Sequence, residues 1–209
     1  MLVWFIFAPL NILCMLLCYL TNWFVCLFAD EYGELPCVFR LWQTWDDTLN
    51  PRFYIKEHVP SFLRYDYDKH YQEYFASTPE LVRLGRKRCF VKIIDPHFTL
   101  KERIQRYICR VMWLYRNCGY GFAFYVFGRE ANGATYTYTI NKKDACGHYE
   151  RCIHDTNDDI ISRAWSFKST WPITKHLRWE VYLGWKIDPD VDKECQCMIA
   201  NRIAFRSLD

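Results

Sequence analysis

Two Cys-x-His pairs, Cys146-Gly147-His148 and Cys152-Ile153-His154, start six residues apart. Alternate residues of an extended chain turn to one side, so each pair could aim a thiolate and an imidazole at one ion. Together they would complete a tetrahedral zinc shell. Zinc fingers space their ligand pairs more widely, and the four residues are read as ordinary loop positions near a sheet, with no metal or other cofactor expected. Asp188, Asp190, Asp192 and Glu194 alternate through a turn in a way that suggests calcium. Lys193 stands where an EF-hand loop requires glycine, however, and Ile199 where it requires the bidentate glutamate, so a solvated hairpin turn is expected. Asp46 and Asp47, beside Trp42 and Trp45, could serve as acid and base on a sugar stacked against the rings. Adjacent aspartates more often open a turn or cap a helix. The chain has no phosphate-cradling glycine loop, no G-x-S-x-G elbow and no H-E-x-x-H pair, and catalysis is not the expected activity.

Charge gives a second kind of candidate. Residues 83–116 carry ten basic side chains against two acids, a local balance of +8 in a chain whose net charge is +3. Arg83, Arg86, Lys87, Arg88, Arg103, Arg106 and Arg110 are the candidate anion-facing set. Near a bilayer each such residue is worth on the order of 1 kcal/mol toward acidic lipid, and nucleic acid would be attracted by the same field. A solvated face whose arginines pair with acids elsewhere is the alternative to any binding role.

The elements that must carry these residues fall into an apolar start and an α+β remainder. The first charged side chain is Asp30, and residues 1–29 hold nothing more polar than Asn11, Thr21 and Asn22. About 20 helical residues cover the roughly 30 Å hydrocarbon core, so this segment is long enough to span. It has neither the basic start nor the small-x-small ending of a secretory signal. Residues 30–209 are then expected to form one domain of ordinary size, helical over 61–117 and β-rich over 120–207. Eleven cysteines are too irregularly spaced for a secreted disulfide framework and fit reduced thiols facing a cytoplasm.

Asp30 to Pro60 reads as an irregular connector, and 61–75, SFLRYDYDKHYQEYF, as a helix. Thr78-Pro79-Glu80 starts another short one. The strongest helix begins at Thr99, with Glu102 completing a capping box, and places Leu100, Ile104, Ile108, Val111 and Tyr115 on its apolar face beside the stripe Arg103, Arg106 and Arg110. Asn117-Cys118-Gly119 ends it. Period-two runs at 122–128, 134–140, 164–170, 176–187 and 197–207 then predict an antiparallel sheet of four or five strands. Leu177, Trp179, Val181, Leu183 and Trp185 line the face that packs on helices, while Arg178, Glu180, Tyr182 and Lys186 line the other.

LWQTWDDTLNP (41–51), RVMWLYRNCGYGFAF (110–124) and the acidic turn Phe28-Ala29-Asp30-Glu31 resemble a family of uncharacterised, membrane-associated proteins encoded by tailed bacteriophages. The resemblance implies an origin and supplies no catalytic residues. Taken together, these readings lead to the expectation of a membrane-anchored phage accessory or interaction protein in the host inner membrane. Its C-terminal domain would be cytoplasmic and would offer the basic face to a host or phage protein or to acidic lipid. The alternative is a nucleic-acid-binding or virion-associated protein whose apolar N-terminus is an assembly or core helix.

Overall fold

A run of 24 residues, apolar but for Asn11, Thr21 and Asn22 and without a charge, satisfies its own peptide groups most simply as a helix, and in the computed structural model Leu2–Val25 forms α1. The structure describes residues 2–44, 48–76, 88–130, 135–143, 147–155, 164–174, 177–186 and 196–207. By its contacts the chain divides into two compact units, residues 1–18 with 119–209 and residues 19–118. The chain is α+β, with an N-terminal apolar helix, further helices and a C-terminal antiparallel sheet, as expected.

In the unit 19–118, the connector holds two short helical pieces, a 3-10 turn at Cys37–Trp42 and α2 at Arg52–Glu57. The tyrosine-rich stretch expected to be helical is a correction. Only Tyr67–His70 (α3) is helical, after which Tyr71–Ala76 (β1) pairs antiparallel with Arg88–Ile93 (β2). Tyr65, Tyr67 and Tyr71 are buried by this arrangement, and the rings of Tyr67 and Tyr71 stack at 5.0 Å. The expected helix start at Thr78-Pro79-Glu80 lies outside the described residues.

Leu100–Arg116 forms α4 with the capping box its sequence predicts. Glu102 N donates to Thr99 Oγ1 at 3.2 Å and Thr99 N donates to Glu102 Oε2 at 2.8 Å. Its buried side is Cys109, Arg110, Trp113 and Leu114. The expected apolar face is displaced from this side, because Leu100 and Ile104 are exposed and Tyr107 and Tyr115 instead hold α1, donating to the carbonyl oxygens of Trp23 (2.6 Å) and Tyr19 (3.0 Å).

In the other unit, Gly119 has φ +74°, the left-handed conformation expected beyond the helix end. The run 122–128, expected to be the first strand, is a π-helix at Phe122–Val126. Its apolar residues do not alternate with polar ones. One wide turn buries Phe122, Ala123 and Phe127 together. A two-residue strand β3 (Arg129–Glu130) then leads to five antiparallel strands in sequence order: β4 (Thr135–Lys143), β5 (Gly147–Asp155), β6 (Ala164–Pro172), β7 (Leu177–Lys186) and β8 (Gln196–Ser207), with β3 on the far side of β8. The centre of this unit is Trp185, fully buried, whose Nε1 donates to Phe127 O at 3.2 Å.

Candidate functional site

The expected anion-facing set is dispersed. Arg83, Arg86 and Lys87 lie outside the described residues, and Arg88 is placed only as a backbone position in β2. On α4, Arg103 is exposed and its Nε donates to Phe98 O at 3.2 Å. Arg106 is half-buried, its guanidinium 4.0 Å over the Phe98 ring with Nη1 donating to Tyr71 Oη at 3.2 Å. Arg110 is 5% exposed, which removes it from any anionic surface. Its Nε donates to Asn50 Oδ1 at 2.8 Å, and its Nη2 donates to Asp30 O at 2.7 Å and Glu31 O at 3.2 Å. The guanidinium thus serves carbonyls just past the end of the first helix, where the helix dipole favours a cation. Burial, with Arg106 nearby, lowers its pKa. Of the three arginines expected to act jointly, only Arg103 is fully presented to solvent.

Few of the catalytic and metal candidates fall among the described residues. His148, Cys152 and His154 belong to strand β5 rather than to a loop, and Cys146 lies outside the described residues. So do Asp46, Asp47 and the acidic run 188–194. Among the described residues no three His, Cys, Asp or Glu side chains converge to hold a metal. Burial pushes the Cys109 thiol up to about 11, far from a nucleophile's range. A groove of about 450 Å³ is lined by Ile55, Lys56, Arg64, Tyr65, Asp66, Tyr67 and Asp68, and the Asp68 carboxylate on its wall is paired with Arg52 and Lys56.

Paired charge also fixes the start of α4. Glu102 is held well below the usual carboxylate range by hydrogen bonds from Lys69 (2.8 Å) and from the Thr99 backbone and hydroxyl. A carboxyl whose folded-state pKa is depressed adds stability that is complete above its ordinary value of 4.5 and fades as the pH falls below it. Glu102→Gln is therefore expected to lower the unfolding midpoint near neutral pH, with the gap from wild type closing on acidification. A thermal-unfolding series in pH measures this, and a gap independent of pH would refute it.

What the geometry does assemble is an apolar surface. Fourteen large apolar or aromatic side chains from Leu2 to Phe28 are exposed, from Leu2 at 77% to Phe28 at 45%. At 100° per residue they fall within about half of the helix circumference. The opposite arc holds the small and polar residues: Ala8, Asn11, Cys18 and Asn22 are all buried there with Trp4 and Val25. In the first unit, Asn11 Nδ2 donates to Asn201 Oδ1 at 3.1 Å, Asn201 Nδ2 donates to Ala8 O at 3.0 Å, and Trp4 Nε1 donates to Ala200 O at 3.1 Å. In the second, Trp42 Nε1 donates to Thr21 Oγ1 at 2.8 Å and Asn22 Nδ2 lies 3.6 Å from Cys118 Sγ. The outer arc presents on the order of 1,000 Å² of apolar surface, above the few hundred that soluble monomers expose.

Sequence reasoning missed a second patch. Trp171, Trp179 and Phe205 are cross-strand neighbours on β6, β7 and β8, and Ile203 opposes Val181 on the same face. All four are exposed, Phe205 at 68% and Ile203 at 66%. The alternation identified this face, but only its Trp185 end is buried. On the opposite face, where charges were expected outward, Glu180 is buried against Arg202. The signal for this patch was present as the unbroken apolar alternation of 177–185; how far it would be covered was not.

The segment Leu2–Phe28, which carries no charged side chain, is long and apolar enough to cross a membrane by length and composition. No curated protein and no solved structure matches the chain. One family does match, over residues 1–207, and the chain accordingly belongs to the family of unknown function DUF7338.

Proposed function

We propose that the protein is held at a membrane by its N-terminal helix and acts as an accessory or interaction protein. The observation that carries this reading is the inverted polarity of α1, which buries Asn11 and Asn22 and exposes Leu, Ile, Phe and Trp. Water selects the opposite arrangement. Lipid selects this one, because polar side chains in an apolar solvent turn toward protein partners. The likeness of 41–51 and 110–124 to proteins of tailed bacteriophages supports a host inner membrane as the setting, and reduced thiols such as Cys37 and Cys109 support a cytoplasmic side for the rest of the chain. Exposed Arg103 and Lys101 beside exposed Leu100 and Ile104 supply a smaller basic edge than the sequence suggested, suited to acidic lipid or an acidic protein partner. The full-length protein is expected to stay with the membrane pellet through high salt and alkaline washing, and to leave it only with detergent. Recovery as an aqueous monomer without detergent would refute the proposal.

A further inference from the structure

We propose, building on the membrane reading, that α1 lies along the membrane interface rather than crossing it, and that the uncovered aromatic end of the sheet face, Trp171, Trp179, Phe205 and Ile203, enters the same lipid surface. The first support is what α1 holds on its inward arc. Between Trp4 and Asn11 that arc is hydrogen-bonded to strand β8 at Ala200 and Asn201, and the Trp4 ring meets Trp165 of β6 at 5.3 Å. A helix crossing the bilayer with these bonds intact would carry β6 and β8 into hydrocarbon, where the peptide groups of an open sheet have no acceptable environment. In the other unit, residues 19–28 would carry α4 along, with the buried charge of Arg110. Crossing after release of these contacts would leave Asn11 and Asn22 unpaired in lipid.

The second support is the geometry of the outer arc. An interfacial helix immerses about half its circumference and keeps the other half polar and hydrated. Here the exposed apolar residues occupy about half the circumference, and protein covers the rest where water would otherwise be needed. The mean hydropathy is therefore as high as that of a spanning helix although only one side is available to lipid.

The sheet extends this surface. Asn201, which holds α1, shares its face of β8 with Ile203 and Phe205 by the two-residue repeat, and Trp179 opposes Phe205 while Leu183 opposes Asn201. The exposed aromatic row therefore lies on the face that α1 occupies. Trp171 and Trp179, 40% and 39% exposed with ring centroids 5.7 Å apart, are suited to the headgroup level, where an amphipathic indole is favoured. Lipid is the one occupant that would meet both the helix arc and the row without a matching shape of its own.

The test uses the full-length chain with an epitope at each terminus, inserted into sealed vesicles of neutral and acidic phospholipid and floated on a density gradient. Protease added outside should remove both epitopes or neither from a given molecule. A carbene probe confined to the lipid phase should label residues on the outer arc of α1 and the segments 171–179 and 203–205 several-fold more than Ala8, Asn11 or the polar face of β7. Flotation with the termini on opposite sides, or with label all around α1 and none on the sheet, overturns the in-plane arrangement and leaves membrane attachment standing. Failure to float, with the protein recovered as an aqueous oligomer, overturns attachment itself and makes a second copy of the chain the occupant of these faces.

Discussion

Replacing Arg110 with methionine is expected to remove about 3 kcal/mol of stability, the upper end of what hydrogen bonds to a charged group contribute. Methionine fills much of the same volume, so the loss would come from Asn50 Oδ1, which loses its donor, and from the carbonyl oxygens of Asp30 and Glu31, which keep Gly33 N and the Tyr71 hydroxyl but lose the charged donor. Lysine is expected to rescue little, because one ammonium cannot reproduce a planar fork that reaches a side-chain amide and two separate carbonyls. Denaturant unfolding of the detergent-solubilised full chain measures the effect. A loss under about 1 kcal/mol would mean that water substitutes readily for the guanidinium, and the account of this residue as the fastening between the first helix and α4 would be wrong.

Gly184→Ala is expected to be of similar size, at least about 3 kcal/mol, for a different reason. Gly184 sits in the middle of β7 with φ +100°, a conformation that side chains of L-residues rarely adopt, between Ser166 of β6 and Ala200 of β8. A Cβ there would lie 1.9 Å from the carbonyl oxygen of Trp165 and 2.8 Å from its carbon. Both are backbone atoms, so relief requires separating β6 from β7 rather than turning a side chain. The same unfolding measurement, followed through the fluorescence of buried tryptophan, checks it. A variant as stable as wild type would show that the close approach of these strands is not required.

The features legible in the sequence were those set within a few residues. Thr99 and Glu102 are three apart, and their reciprocal hydrogen bonds need nothing from elsewhere. The strands containing 164–170 and 177–186 alternate strongly enough to be read singly. The Arg110 network was invisible because its partners lie 60 to 80 residues away, and on a helical wheel Arg110 extends the solvated stripe of Arg103 and Arg106. The apolar stripe of α4 misled for a related reason: periodicity reports that a helix has an apolar side, but not whether that side meets the core, another helix or nothing. Leu100 and Ile104 are exposed, while the buried side includes an arginine. For 122–128 the failure was one of period, since a run apolar at nearly every position fits a strand, an α-helix or a π-helix equally well. Tyr71–Ala76 became a strand because its partner, Arg88–Ile93, was available to pair with it, and local propensity does not register such a partner.

The bond between Asn11 and Asn201 has a consequence in time. The two residues are 190 positions apart, so at about 5–20 residues per second the first helix waits roughly 10–40 s of synthesis for its polar counterpart. Throughout that interval the outer arc is already as apolar as it will be in the finished protein, while the inner arc around Asn11 has nothing to close against. The nascent chain is therefore adhesive as soon as α1 is made and acquires this latch only 190 residues later. The order of translation, and not only the final set of contacts, thus determines what the helix meets first.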